Sequence, residues 1–131
     1  MPEMAGFSHV ALSVTNLDRS KEWYQDVLGV QILAEGEEDL LRYVVTVHPS
    51  GIILGLREFK SNEGEAFAPD RTGIDHLSFG VGSRAELEKW AALFEEKGVN
   101  YTPLIDSEYG HHINFKDPDN IAIEFFAMSE S

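Results

Sequence analysis

The sequence predicts an α+β fold made of two tandem βαβββ modules, with the two helices outside a cupped mixed sheet or half-barrel. The first observation is an internal repeat: residues 6–14 (GFSHVALSV) recur 67 positions later as residues 73–81 (GIDHLSFGV). A repeat of this length exceeds a solenoid unit and matches one small module. The second observation is a polar stretch with Gly and Pro, residues 60–72, which separates the copies as a linker. One domain of 131 residues then contains modules 6–59 and 73–128.

Composition excludes several classes of function. The chain has 43% hydrophobic residues but no apolar run of the roughly 18 residues that a membrane span needs, which favours a soluble globular protein. Its formal charge of −13 opposes binding to nucleic acid and to anionic lipid. It has no cysteine, and residues 1–4 do not resemble a secretory signal. We therefore expect a cytoplasmic protein whose partners are small molecules, with neither nucleic acid nor membrane among them.

The first module begins with a strand at residues 7–14, where polarity alternates with a period of two. The aliphatic residues of even number in this strand pack under a helix. His9 therefore lies on the opposite side of the sheet, together with the small residues Ala11 and Ser13. That side has room for a ligand.

The rest of the first module follows from a helical pattern and three further strands. The helix is predicted over residues 18–28, with Asn16 or Asp18 as its cap and Gly29 as its stop. Its expected buried stripe is Trp23, Val27 and Leu28. The strands are predicted at residues 30–34, 40–47 and 51–59, and the acidic run 35–39 is predicted to be a solvated turn.

The second module repeats this order. A strand at residues 74–81 precedes a helix over residues 83–97, which starts at a Ser83–Glu86 capping box and stops at Gly98. The expected buried stripe of this helix is Leu87, Trp90, Ala91 and Phe94. The remaining strands are predicted at residues 99–104, 107–116 and 121–127, with a turn at residues 117–120. Each module has one helix on one sheet face, so the opposite faces are free to close around a cavity.

Three side chains on these free faces have the chemistry of a metal site. His9 and His76 occupy matched positions of the repeat, and alternation along the last strand puts Glu124 on the same side as the histidines. Burying an unpaired carboxylate costs several kcal/mol, and a divalent cation offsets that cost. Two imidazoles and one carboxylate leave open positions on Fe²⁺, Mn²⁺, Zn²⁺, Ni²⁺ or Co²⁺. The alternative is two ordinary core histidines and a Glu124 that pairs with Arg57 or Arg71.

These motifs resemble the vicinal oxygen chelate superfamily. That superfamily includes glyoxalase I, extradiol dioxygenases, methylmalonyl-CoA epimerase, fosfomycin-modifying enzymes and bleomycin-binding proteins. The resemblance covers nearly the whole chain and is carried by residues 9–14 (HVALSV), 23–29 (WYQDVLG), 73–79 (GIDHLSF) and 115–124 (FKDPDNIAIE). It implies a glyoxalase-like fold, one divalent ion held by His9, His76 and Glu124, and a homodimer.

The chain departs from this family at two positions. The repeat aligns Gly55 with the strand position where glyoxalase I and the epimerase have a fourth ligand, so glyoxalase I activity is not expected. The remaining His, His and Glu set is similar to that of the dioxygenases and fosfomycin enzymes. In the turn before the last strand, Asn120 stands where the family has Gly, and Asn tolerates the left-handed conformation that such a turn needs.

Further candidate residues surround the same predicted cavity. His111 and His112 are adjacent on a strand, so at most one faces inward. Either histidine, or Tyr109, is a candidate general acid or base, and an exposed surface pair is the alternative for the histidines. The candidate substrate-pocket residues are Ser13, Tyr43, Gly55, Arg57, Phe59, Phe67, Ser78 and Phe126. The aromatic members have core or lid positions as their alternative.

Two functions are compatible with this pattern. The first is a metal-dependent enzyme that chelates a small substrate through two neighbouring oxygens and performs dioxygenase- or lyase/isomerase-type chemistry. The second is a bleomycin-resistance-like protein that sequesters a small molecule without catalysis. The substrate is not predicted, because members of one fold differ in their loops and pocket lining. The site is expected either within one chain or shared between two.

Overall fold

The computed structural model describes residues 1–129 and contains two copies of one βαβββ order. The chain divides into two compact units, the first ending at Glu65 and the second beginning at Ala66. Each unit holds one four-stranded mixed sheet and one helix, which confirms the predicted α+β class and module order. The division falls inside the predicted linker, residues 60–72.

The first unit contains β1 (Val10–Ser13), α1 (Leu17–Leu28), β2 (Gln31–Glu37), β3 (Leu41–Val47) and β4 (Ile53–Phe59). Its sheet has the order β1-β4-β3-β2, with β1 parallel to β4 and the other pairs antiparallel. Two expected boundaries were wrong. The first strand begins at Val10 and not at residue 7. The second strand continues to Glu37 through part of the acidic run, because this exposed strand tolerates charge and Glu35 pairs with Lys21 at 2.7 Å.

Helix α1 begins where the Asn16 side chain accepts a hydrogen bond from the Arg19 backbone, and it ends at Gly29 with φ 73°. Tyr24 is fully buried, whereas Trp23 is only partly buried, so the prediction of Trp23 as the buried aromatic was wrong. The two rings meet edge to face at 4.8 Å. The buried positions 17, 20, 24, 27 and 28 follow the helical period, and Tyr24 fits that period better than its neighbour.

The second unit contains β5 (Leu77–Gly80), α2 (Arg84–Lys97), β6 (Ile105–Asp106), β7 (Gly110–Lys116) and β8 (Ala122–Met128). Its sheet order, β5-β8-β7-β6, repeats that of the first unit. Ser83 caps α2 by accepting a hydrogen bond from the Glu86 backbone at 3.2 Å, and Gly98 ends it with φ 68°. The strand expected at residues 99–104 was wrong, because that segment forms only an isolated bridge from Tyr101 to Phe115 and the edge strand comes later.

A tight turn sets the register between β7 and β8. Asp117 Oδ1 accepts hydrogen bonds from the backbone N–H of Asp119 and Ile121, both at 2.8 Å. Asn120 has φ 67°, which confirms the expected left-handed residue in this turn. The Phe67 backbone N–H donates to the Asp119 carbonyl at 2.9 Å, so the start of the second unit is attached to the same turn.

Alternation along the central strands separates a buried face from a free face in each sheet. Helix α1 packs on β3 and β4, and α2 packs on β7 and β8. The residues below α1 include Val44, Leu54 and Leu56, all buried, and the corresponding residues of the second unit are Ile113, Ile123 and Phe125. The intervening residues lie on the face that the unit's own helix leaves uncovered. Among residues 1–129, no helix has the length and apolarity that a membrane crossing requires.

Candidate functional site

His76 and Glu124 lie together on the free face of the second unit. His76 precedes β5 by one residue, and Glu124 lies in β8 opposite Ser78. The distance from His76 Nε2 to Glu124 Oε2 is 3.4 Å. The Glu124 side chain is only 15% exposed, whereas that of His76 is 47% exposed. The structure therefore brings two of the three predicted metal ligands to one place.

Asp75 orients the imidazole of His76. Asp75 Oδ1 lies 2.7 Å from His76 Nδ1, which directs Nε2 toward Glu124. The hydrogen bond with Asp75 raises the pKa of His76; partial burial opposes this change and the charge of Glu124 reinforces it. A histidine whose Nδ1 proton is held by a carboxylate presents Nε2 as the ligand nitrogen, as in many metal sites.

His9 repeats this arrangement in the first unit with a neutral partner. It precedes β1 by one residue, just as His76 precedes β5. Its Nδ1 lies 2.8 Å from Ser8 Oγ, which leaves Nε2 available as a ligand. In both units the residue before the histidine therefore engages Nδ1.

The strand register gives Gly55 and Glu124 equivalent positions. Gly55 lies opposite Ala11, two residues after His9, and Glu124 lies opposite Ser78, two residues after His76. This equivalence agrees with the alignment of the repeats. The first unit consequently supplies no side chain where the second supplies a carboxylate.

The donor set fits a divalent cation. Glu124 is a largely buried carboxylate, and its ion-pair partner within residues 66–129 is an imidazole and not a lysine or arginine. Within either unit, no three His, Cys, Asp or Glu side chains of residues 1–129 are grouped to hold a metal. The second unit thus presents a two-ligand pair and the first unit presents one imidazole. Imidazole nitrogen and carboxylate oxygen suit Mn²⁺, Fe²⁺ and Zn²⁺.

The first unit has a cleft of about 390 Å³ beside His9. This volume lies within the range of roughly 300–1,000 Å³ that small-molecule sites occupy. The residues that line it are His9, Ala11, Glu38, Tyr43, Val44, Val45, Ile53, Gly55 and Arg57. The cleft therefore contains three of the predicted pocket residues and one predicted metal ligand.

Arg57 has an unusual environment in this cleft. Its Nε is buried and has no hydrogen-bond partner among residues 1–129. The centre of its guanidinium lies 5.7 Å from the ring centroid of Phe59. Tyr43 lies opposite Arg57 in the sheet register, and a Cβ on Gly36 would come within 2.6 Å of Tyr43 Oη. Glycine at position 36 therefore makes the position of this tyrosine possible.

Other predicted site residues lie at defined places in the two sheets. Ser13 is opposite Arg57, and Ser78 is opposite Glu124. His112 and Phe126 are stacked at 6.2 Å, and alternation puts both on the face that carries Glu124. Their roles as catalytic or pocket residues stay predictions.

The remaining candidates of the second unit are His111, Tyr109 and Phe67, whose hydrogen bonds are made with residues other than His76 and Glu124. His111 belongs to the side of β7 that carries buried Ile113, and its Nδ1 is 2.6 Å from Asp106 Oδ1. Tyr109 is 72% exposed. Phe67 accepts a hydrogen bond at its carbonyl from the Asn120 side chain at 3.2 Å. Their assigned roles also stay predictions.

Sequence reasoning missed three residues at these sites. Ser8 and Asp75 precede the two histidines, so a polar residue at the same repeat position was the available signal. Glu38 lines the cleft, although the sequence assigned it to a solvated acidic turn. No sequence signal distinguished Glu38 from the neighbouring carboxylates.

Comparisons with known proteins agree with this geometry. A crystal structure of a glyoxylase/bleomycin resistance protein/dioxygenase domain from Frankia sp. EAN1pec superimposes with a TM-score of 0.93 and 34% identity, covering 98% of this chain and 96% of that one. A metallothiol transferase, FosB of Staphylococcus epidermidis, is 32% identical over 95 residues, which are 72% of this chain and 62% of that protein. The chain thus spans less than two thirds of that relative's length.

A more distant structure shares the fold alone. The fosfomycin resistance protein FosX from Listeria monocytogenes, crystallised with Mn(II) and sulfate ion, has a TM-score of 0.71 and 20% identity, covering 97% of this chain and 95% of that one. A family model described as Glyoxalase/Bleomycin resistance protein/Dioxygenase superfamily matches residues 6–125. This match covers both modules, and it confirms the resemblance found in the sequence motifs. The chain belongs to the Glyoxalase/Bleomycin resistance protein/Dioxygenase superfamily.

Proposed function

We propose that this protein is a divalent-metal-dependent enzyme in which His9, His76 and Glu124 bind one ion. The observation that carries the proposal is the matched pair of histidines, each with Nδ1 engaged by the preceding residue and Nε2 left for a ligand. Glu124, 3.4 Å from His76, supplies the anionic donor. The three ligands come either from one chain or from two copies in a homodimer.

The open position at Gly55 suits substrate chelation. With three protein ligands, an ion of this kind keeps coordination positions for two neighbouring oxygens of a small substrate. A bound divalent ion acts as a Lewis acid and stabilises negative charge that develops on such oxygens. The chain's own contribution is to orient the imidazoles through Ser8 and Asp75 and to hold the Glu124 carboxylate beside His76.

The relatives suggest candidate reactions and a candidate metal. FosX was crystallised with Mn(II), and FosB is named a metallothiol transferase. Mn²⁺ is therefore the first ion to test, and thiol transfer joins dioxygenase- and lyase/isomerase-type chemistry as a candidate reaction. We also expect a cytoplasmic homodimer that binds neither nucleic acid nor membrane.

Metal content of the native protein tests this function. Protein produced without a histidine tag or chelators should contain a divalent metal or take one up, as measured by elemental analysis. His76→Ala should abolish uptake, whereas His48→Ala should not, because His48 lies in a turn and bonds Ser50 at 2.7 Å. Wild-type protein that takes up no metal, or a His76→Ala variant that takes it up normally, would refute the proposal.

A second function, sequestration without catalysis, is favoured by the cleft of the first unit. Its volume of about 390 Å³ accommodates a small ligand without any contribution from a metal. Binding that EDTA leaves unchanged, with the ligand recovered intact after prolonged incubation, would support sequestration over catalysis. Turnover that EDTA abolishes would exclude it as the main function.

A further inference from the structure

We propose that the cleft of the first unit binds an oxyanion group of the substrate and that Arg57 is the residue that holds it. This inference deepens the proposed metal enzyme and rests on it, because it assigns the substrate a second functional group. The substrate class is a small carboxylate or phosphonate that also carries a pair of neighbouring oxygens for the metal. Both acids share the chemistry of a negatively charged group with several acceptor oxygens.

The unpaired Nε of Arg57 is the first argument. Buried N–H groups almost always have a hydrogen-bond acceptor, so a buried guanidinium N–H without one indicates an acceptor that arrives with a ligand. Arg57 also has no ion-pair partner among the described residues of the first unit. By contrast, Arg42 on the neighbouring strand pairs with Asp18 at 3.2 Å. Arg57 therefore retains a positive charge inside the cleft that its own unit does not neutralise.

The Phe59 ring explains how the guanidinium is held. The guanidinium carbon lies over this ring, 5.7 Å from its centroid. A cation–π contact of this kind attracts the guanidinium without using its N–H donors, which stay available for acceptors. The edge of a guanidinium donates two parallel hydrogen bonds to one carboxylate or phosphonate. A lysine at this position would provide the positive charge but not the two parallel N–H donors.

The position of Arg57 relative to His9 limits the size of the ligand. Ser13 is the register partner of Arg57, and His9 precedes Ser13 by four residues on the same side of the strand. Four residues of extended chain span about 13 Å. The side chains of His9 and Arg57 both line the same cleft of about 390 Å³. Between them the floor is Ala11 and Gly55, which have little or no side chain. A single small molecule therefore fits along this floor with one end near each residue.

Two other residues modify this pocket. Tyr43, opposite Arg57, also lines the cleft. Glu38 also lines the cleft, and its carboxylate repels an anion. Arg57 and Glu38 should therefore have opposite effects on anion binding, which separates a specific site from a general response to net charge.

The test is an NMR titration of the metal-free full chain. Methylphosphonate and acetate are added separately, with acetamide as the neutral probe. The Nε–H resonance of Arg57 is followed in the wild type, and the backbone amide resonances of the cleft residues Ala11 and Gly55 report affinity in every variant. At least one anion should shift the Arg57 resonance to saturation, while acetamide should not.

Arg57→Gln should weaken binding of that anion by about 10-fold or more, because each lost charged hydrogen bond contributes on that scale. Arg42→Gln, which removes the same charge from the same unit, should change affinity by less than about 2-fold. Glu38→Gln should tighten binding about 3-fold.

Each negative result has a defined meaning. An Arg57 Nε–H resonance that neither anion moves would overturn the inference, and so would equal losses in Arg57→Gln and Arg42→Gln. If Arg57→Gln unfolds, Arg57→Lys keeps the positive charge. It should still weaken anion binding, because it removes the two parallel N–H donors of the guanidinium. Metal uptake without anion binding would defeat this inference alone, and anion binding without metal uptake would defeat the proposed function alone.

Discussion

The two units share one strand register but have different residues on their free faces. At one position the first unit has Gly55 and the second has Glu124. Two residues further along, Arg57 in the first unit corresponds to Phe126 in the second. The first unit thus has a cleft with a guanidinium group and a bare floor, and the second has a carboxylate beside an imidazole. A duplicated framework leaves each copy free to specialise on its exposed face.

The buried faces of the two units also differ. In the first unit, the helix contributes Tyr24 and the sheet contributes Thr46, whose hydroxyl donates to the Leu54 carbonyl at 2.9 Å. At the equivalent positions, the second unit has small Ala91 on the helix and buried Phe115 on the sheet. At this pair of positions the aromatic ring belongs to the helix in the first unit and to the sheet in the second. Close packing can therefore be reached with different residues at equivalent buried positions.

Deleting matched core side chains should have the largest effect and should sharpen this comparison. Phe94 is fully buried, with ring contacts to Phe115 at 4.5 Å and Trp90 at 5.8 Å. Phe94→Ala should lower the free energy of unfolding by about 3–5 kcal/mol. Val27→Ala, at the equivalent helix position, should cost roughly 1–3 kcal/mol because fewer buried carbons are removed. Urea denaturation measures the free energy of unfolding of both variants. Equal losses of stability would contradict a larger contribution of the aromatic side chain to the core of the second unit.

Removing the carboxylate that distinguishes the second unit should have the next largest effect. Glu124→Ala should weaken metal binding by about 100-fold or more, because the site loses its only anionic ligand. Glu88→Ala should leave metal affinity unchanged, because Glu88 is an exposed residue of α2 that pairs with Arg84. Isothermal titration with Mn²⁺ measures both variants. Equal affinity of Glu124→Ala and wild type would remove Glu124 from the site.

Changing the residues that orient the two histidines should have a smaller and unequal effect. Asp75→Asn should weaken metal binding by about 10-fold, whereas Ser8→Ala should weaken it by only a few-fold, because a charged partner orients an imidazole more strongly. The Asp75 contact raises the pKa of His76, so Asp75→Asn should lower that pKa. Protons compete with metal for Nε2, so the midpoint pH, at which the metal affinity is half of its own high-pH value, should move lower in Asp75→Asn even though that high-pH value is itself reduced. Titrations across pH test this direction, and a midpoint shifted to higher pH would contradict it.

The smallest expected effect concerns ion pairs that join helix and edge strand in both units. Arg84 Nε contacts Asp106 Oδ1 at 2.9 Å, as Lys21 contacts Glu35 in the first unit. Hydrogen bonds from Arg84 and then His111 lower the pKa of Asp106 from 3.8 to about 2. A lowered carboxyl pKa stabilises the fold above the ordinary pKa, and this contribution is lost as pH falls from about 4 to about 2.

Asp106→Asn should therefore lower the melting temperature slightly at pH 7, and the difference from wild type should disappear near pH 2. Glu35→Gln is the matched variant in the first unit, and its effect at pH 7 should also be small because exposed ion pairs contribute little. Calorimetry across pH measures both variants. A difference between Asp106→Asn and wild type that grows on acidification would contradict the assigned direction.

Local patterns account for what the sequence predicted correctly. Alternation with a period of two depends only on neighbouring residues, so it identified the free-face position of Glu124. The caps at Asn16 and Ser83 were equally local, and so was the left-handed Asn120. Each of these features is determined within four or five residues of chain.

The features that were missed depend on partners distant in sequence or on fine geometry. The strand at residues 31–37 needs the pairing of Gly36 with Tyr43, and its acidic composition suggests a turn. The short β6 depends on His111 and His112 of β7 in the same way. Tyr24 fits the helical period better than Trp23, but that period is evident only when the buried positions, including Leu17 and Ser20, are known. The unpaired Nε of Arg57 is likewise visible only when the surrounding atoms are known.

Gly36 has no side chain in the cleft, yet it decides whether Tyr43 can lie where it does. Even one methyl group at that position would collide with the tyrosine ring, which would have to move. Ligand preference in this superfamily can therefore evolve through residues that never touch the ligand. Substitution of Gly36, in the edge strand β2, would therefore change the shape of the cleft without altering the proposed metal ligands or Arg57.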